Sequence, residues 1–282
     1  MPDRVDSHHH LWRLANGYRW LDPPELAPIR RDFTVADLRA ALPTTGTTRT
    51  VLVEAGREAA AEVTEFLAIA EATEEVAGVV GWAELTDPDL AGTLAGHQAG
   101  SDGRWLVGIR SQVQGQPDPD YLRRPDVLAG LATVAAAGLA FDLVVRVDQL
   151  PAAADAAAAV PRCRFVLDHL GKPAIAAGGY ERWRALVAPL ARQPNVVAKV
   201  SGLVTEADWA NWTVDDLRPY VATALELFGP DRLMFGSDWP VCRLAASYDR
   251  VVEALADALG RLSPAESAAI WSGTATEVYR LR

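Results

Sequence analysis

Eight short apolar runs recur along the whole chain, and no other feature limits its fold more. They occupy 4–7, 50–54, 78–84, 106–110, 141–146, 164–168, 196–200 and 233–237. Most are β-branched or otherwise apolar without polar alternation, as strands buried on both faces of a parallel sheet are. Helical periodicity fills the gaps at 58–76, 127–138, 150–159, 180–191 and 214–228, and continues at 247–262 and 264–279. The last stretch opens with Ser263-Pro264-Ala265-Glu266, which reads as an N-cap serine, a proline at N1 and a glutamate at N3. Strands alternating with helices over 282 residues predict an α/β protein, a (β/α)8 barrel in one domain spanning 1–282. An open doubly wound sheet fits less well, because no glycine-rich phosphate loop follows the first run.

In such a barrel the C-terminal ends of all strands meet on one face. The first end delivers His8 and His10, whose spacing of two puts both rings on one side of a strand. The second delivers Glu54, the fourth Arg110 and the fifth Arg146. The sixth runs Asp168-His169-Leu170-Gly171-Lys172-Pro173, the seventh Lys199-Val200-Ser201-Gly202, and the eighth Gly236-Ser237-Asp238-Trp239-Pro240. Taken singly these residues are ambiguous: Asp238 also suits a turn, and His169 could be a core histidine. Together they place three histidines, an aspartate and several cations in one pocket. The segment 16–31, with Tyr18, Trp20 and three prolines, reads as a long first loop over the mouth of that pocket.

Composition removes other function classes. Lys plus Arg is 27 against 37 Asp plus Glu, a formal net charge of −10 with no basic block. That argues against nucleic acid and against anionic membranes as partners. Two cysteines, Cys163 and Cys242, form no metal or disulfide motif. No apolar tract has the length of a membrane span, and the start shows no signal peptide, so a cytoplasmic location is expected. Nothing in the sequence speaks to oligomeric state.

The chain resembles the amidohydrolase superfamily, in particular the sugar-lactonase branch of L-fuconolactonase and L-rhamnonolactonase type, with 2-pyrone-4,6-dicarboxylate hydrolase as a relative. The resemblance lies in residues 6–12, 108–110, 165–173, 199–203 and 233–240, in the expected order along nearly the whole chain. His-Leu-Gly-Lys-Pro and Gly-Ser-Asp-Trp-Pro are its more specific segments. It implies a barrel enzyme of carbohydrate metabolism that hydrolyses a lactone, and the motifs lean toward an aldonolactone; an aldono-1,4-lactone is the expected substrate.

Binuclear members use four histidines. Here His9 should point away from His8 and His10, and His97 falls on a surface helix, which leaves His8, His10 and His169. Two readings stay open. One divalent ion, zinc by ligand type, binds among His8, His10, His169 and Asp238, with Glu54 as a further candidate. Alternatively no metal is used, and the histidines hydrogen-bond the substrate carbonyl directly. In both, Asp238 is the general base. Arg110, Arg146, Lys199, Trp12, Trp20 and Trp239 are the candidates for holding the lactone. Competing substrates are a carboxylated lactone, with Arg110, Arg146 and Arg243 as anchors, and an aromatic acid undergoing decarboxylation.

Overall fold

The structure is a computed structural model and describes residues 3–42 and 45–282. Eight strands form one parallel sheet in sequential order: β1 (Arg4–His9), β2 (Thr47–Val53), β3 (Val76–Gly81), β4 (Leu106–Ser111), β5 (Ala140–Leu143), β6 (Arg164–Leu167), β7 (Val196–Val200) and β8 (Leu233–Phe235). Each expected run became a strand. All are buried almost throughout, because helices cover one face and the barrel interior the other. The helices are α1 (Val35–Ala41), α2 (Ala60–Ala72), α3 (Leu90–Ala99), α4 (Pro125–Ala136), α5 (Leu150–Ala159), α6 (Tyr180–Ala191), α7 (Leu203–Glu206), α8 (Val214–Phe228), α9 (Tyr248–Leu259), α10 (Pro264–Ala268) and α11 (Thr274–Tyr279). Among the described residues no helix is long and apolar enough to cross a membrane.

Two helices differ from expectation for identifiable reasons. α2 starts late because Glu58 lies in the left-handed region, at φ +53°, where a right-handed helix cannot begin. The final helix is interrupted: a π-turn at Ala269–Gly273 separates α10 from α11, while the expected Ser263/Glu266 capping box is present.

Sheet closure places the site. No ladder joins β8 to β1; the seam is made by specific bonds instead. Asp238 N donates to His8 O at 2.8 Å and His10 N to Trp239 O at 2.7 Å. Below them, the buried Asp6 carboxylate accepts from Ser237 N (2.8 Å), Ser237 Oγ (2.5 Å) and Tyr248 Oη (2.9 Å). β1 carries one extra residue here, since Asp6 pairs with Thr50 but His9 with Leu52. At the opposite end, Val278, Tyr279 and Leu281 pack onto Val5, Val51, Val80 and Met234 and plug the bottom of the barrel.

Candidate active site

His8, His10, His169 and Asp238 converge at the C-terminal end of the sheet, all buried. His8 Nε2 and His10 Nε2 are 3.2 Å apart. Asp238 Oδ1 lies 3.6 Å from His10 Nε2, 3.8 Å from His8 Nε2 and 4.0 Å from His169 Nε2. The backbone that presents them is strained. Asp238 has φ +57°, and four consecutive residues, His169 to Lys172, are left-handed at +54°, +50°, +73° and +53°. For the non-glycine members this costs about 1–2 kcal/mol each. Packing holds the turn: Trp183 Nε1 donates to Leu170 O at 2.7 Å. Position 202 must be glycine. A Cβ there would stand 2.6 Å from His169 Nδ1 and 3.2 Å from Asp238 Oδ2.

Hydrogen bonds orient the rings. His10 Nδ1 meets Val53 O at 2.9 Å; a carbonyl only accepts, so Nδ1 carries the proton and Nε2 keeps its lone pair. His169 Nδ1 meets Ser201 Oγ at 2.9 Å, leaving Nε2 on the Asp238 side. His8 Nδ1 sits between Lys199 Nζ (3.1 Å) and Asp168 Oδ1 (3.3 Å). Burial pushes His8 well below its usual range and His169 down to about 4, so both rings are neutral at neutral pH. Burial alone would raise Asp238, but the neighbouring His169 and His10 rings outweigh it and hold the group below the ordinary carboxylate range. His9 is buried, makes no ring hydrogen bond, and is pushed down by burial to about 3; it stands outside the cluster.

These donors fit one divalent ion. Two nitrogens on a tetrahedral zinc at ~2.0–2.1 Å stand about 3.3 Å apart, close to the His8–His10 separation. His8, His10 and Asp238 form the tight triangle, and His169 stands beside it. Asp168, which also lies near His8 and His169, is already engaged by two cations.

Under the cluster lies a fully buried charge network. Arg110 Nε donates to Glu54 Oε1 (2.5 Å), and Nη1 lies 3.0 Å from Asp168 Oδ2 and 3.3 Å from His8 Nε2. Lys199 Nζ pairs with Asp142 (2.5 Å) and Asp168 (3.0 Å). Tyr279 Oη donates to Asp142 at 2.7 Å. Burial works against the Asp168 charge, but Lys199, His8 and Arg110 overcome it and hold Asp168 well below the usual range.

A cavity of about 270 Å3 opens above. His10, His169, Asp238 and Arg110 contribute to its walls together with Trp20, Glu58, Gln112, Gln114 and Lys172. The candidate residues thus divide. Trp20 lines the cavity and is tied down by Nε1 donating to Ala55 O at 2.7 Å. Trp12 and Trp239 are buried behind the wall, edge-on to Phe33. Arg146 turns to the Gln114 carbonyl and Asp148, outside the cavity lining. Lys199 is beneath the floor, and Glu54 is taken up by Arg110, Gln112 and Gly56 N. Sequence reasoning passed over Asp168, Lys172, Glu58, Gln112 and Gln114. Asp168 and Lys172 flank His169 within one of the quoted motifs, which was the available signal; the other three had none.

A family profile described as amidohydrolase matches residues 5–281. An L-fucono-1,5-lactonase of Burkholderia multivorans is 41% identical, covering 99% of this chain and 96% of that protein. One from Burkholderia ambifaria is 36% identical, over 100% and 97%. Among solved structures, a B. multivorans amidohydrolase with bound zinc superposes with a TM-score of 0.92 at 38% identity, covering 99% of each chain.

Proposed function

This chain belongs to the amidohydrolase family, and from that premise we propose that it hydrolyses a neutral, hydroxyl-rich sugar lactone. The observation that carries the substrate class is the charge of the cavity. Its one guanidinium, Arg110, is already neutralised by Glu54 and Asp168. Lys172 is paired with Glu206 at 3.3 Å, and Glu58 adds a carboxylate to the wall. Arg146 and Arg243 do not line it. A dicarboxylate would find no free guanidinium there, whereas Glu58, Gln112 and Gln114 suit hydroxyl groups and Trp20 offers a flat apolar face. The expected substrate was an aldono-1,4-lactone; the two relatives at 41% and 36% identity are named for 1,5-lactones, and we adopt the six-membered ring.

Asp238, ionised and beside the three imidazoles, takes a proton from water as the oxygen adds to the ester carbonyl. Charge develops on the carbonyl oxygen and is met within the His8–His10–His169 cluster, with Arg110 fixed beside His8. The acyl–oxygen bond then breaks, and Asp238 returns its proton to the departing ring oxygen. The product is the open hydroxy acid. A divalent ion held by His8, His10 and Asp238, with His169 beside it, would supply Lewis acidity toward the carbonyl.

The test is acid release, followed with a pH indicator, from a panel of aldono-1,5- and aldono-1,4-lactones and carboxylated lactones. Chelator-treated and zinc-supplemented protein are run in parallel. Turnover of sugar lactones alone is expected. Preference for a carboxylated lactone, or no lactone turned over, refutes the reading.

A further inference from the structure

The N-terminal end of the barrel, opposite the active site, carries charges that the proposed chemistry does not use. Arg162 and Arg164 lead into β6, and Arg280 follows α11. The three line one cavity of about 80 Å3, whose other walls are Ala135, Gly138, Leu139 and Ala140. No carboxylate faces it. Arg164 donates to Val278 O at 2.5 Å. Arg162 and Arg280 make no ion pair and no side-chain hydrogen bond among the described residues. Other surface arginines do have acidic partners, as Arg39 has in Glu75 and Arg123 in Asp120 and Asp155. What sets this cavity apart is that three guanidiniums share it without a carboxylate, in a chain of net charge −10.

A second cavity of about 350 Å3 shares Arg162 and Arg164 and extends to Thr274, Asp231 and Glu277. The Thr274 hydroxyl is buried and has no hydrogen-bond partner. A buried polar group left this way calls for a partner the chain does not provide. The small cavity is lined by guanidiniums without a carboxylate; the larger one, which shares Arg162 and Arg164 and adds Arg232, also carries the Thr274 hydroxyl and the Asp231 and Glu277 carboxylates.

We propose that this end of the barrel binds a phosphorylated, hydroxyl-bearing small molecule. Its phosphate occupies the arginine cavity, where guanidinium forks match phosphate oxygens and a dianion relieves the repulsion between them. Its hydroxylated body lies in the larger cavity, bonded to Thr274 and donating to Asp231 and Glu277. Asp231 and Glu277 line only the larger cavity. This site is independent of the lactone reading.

Isothermal titration calorimetry on the full chain tests it, with inorganic phosphate, a hexose phosphate and the free hexose at constant ionic strength. Saturable binding of the hexose phosphate is expected, about tenfold or more tighter than inorganic phosphate. Arg162→Ala with Arg280→Ala should abolish both, leaving lactone turnover and melting temperature near wild type. Thr274→Val, nearly isosteric, should weaken the hexose phosphate several-fold and leave inorganic phosphate unchanged. Three results would overturn the proposal. They are no saturable heat, equal binding by the double variant, or inorganic phosphate bound as well as the hexose phosphate, which would mark an adventitious ion only.

Discussion

Replacing one hydrogen atom should disable the site. In Gly202→Ala the new methyl carbon would stand 2.6 Å from His169 Nδ1 and 2.8 Å from His169 Cγ. Ordinary contact begins near ~3.5 Å, so the imidazole must retreat by about 1 Å. It cannot do so freely, because Ser201 Oγ holds Nδ1 at 2.9 Å and the ring is buried. A displacement of that size costs about 100-fold in rate, equivalent to ~2.7 kcal/mol of transition-state stabilisation. Separately, alanine at φ +64° costs ~1–2 kcal/mol of stability, which lowers Tm by roughly 2–8 °C at this chain length. The two effects can be separated with Gly178→Ala, also at positive φ (+68°) but with nothing within 4 Å of its Cβ. That variant should lose stability and keep activity. The assay is kcat/KM on a sugar lactone beside thermal unfolding of both variants. If Gly202→Ala keeps kcat/KM within about twofold while Tm falls like that of the control, His169 is not positioned at the reacting carbonyl and the reasoning is refuted.

Asp238→Asn should lower kcat by about 10²–10⁴-fold and leave thermal unfolding nearly unchanged; wild-type turnover would remove Asp238 as the base. Lys199→Met strands the Asp142 and Asp168 carboxylates without their shared ammonium. It should cost about 3–5 kcal/mol in denaturant unfolding, and unaltered stability would show that the ion pairs are compensated elsewhere. Glu62, buried against Ala55 N, has its carboxyl pushed up by burial and by Glu54 to about 8, from an ordinary 4.5. Its folded-state pKa exceeds the unfolded one. The contribution is therefore intact below about pH 4.5 and drains away as pH rises toward 8. Glu62→Gln should flatten the decline of Tm between about pH 4.5 and 8; an equal slope in both proteins would contradict the assignment.

Much of this was readable from residue order alone, and the reason is physical. A strand covered on both faces must be apolar at every position, so β2, β3, β6 and β7 announce themselves without periodicity. α5, α6 and α8 have the expected bounds, whereas α1 was missed and α3 was expected only as a surface helix around His97, without bounds. α1 is short and capped by Asp37 where glutamate is the usual signal, and α3 is diluted by Gly92 and Gly96. In the site, the strand ends foretold that His8, His10, His169 and Asp238 would meet. They could not tell an arginine in the cavity from one outside it, as Arg110 and Arg146 turned out to be. That depends on which carboxylates and carbonyls lie within reach, and those come from segments distant in sequence. For the same reason Lys199 read as a substrate contact, though two aspartates hold it beneath the floor.

The seam between the first and last strands has a consequence for how the protein comes into being. Asp6 and Ser237 are separated by 231 residues, and the bonds that shut the barrel fall within two residues of His8, His10 and Asp238. A nascent chain on the ribosome can therefore own seven finished strands and still be catalytically inert. Onset of activity during refolding would then time the final closure itself, and a chain cut between β7 and β8 would lose its chemistry together with its roundness.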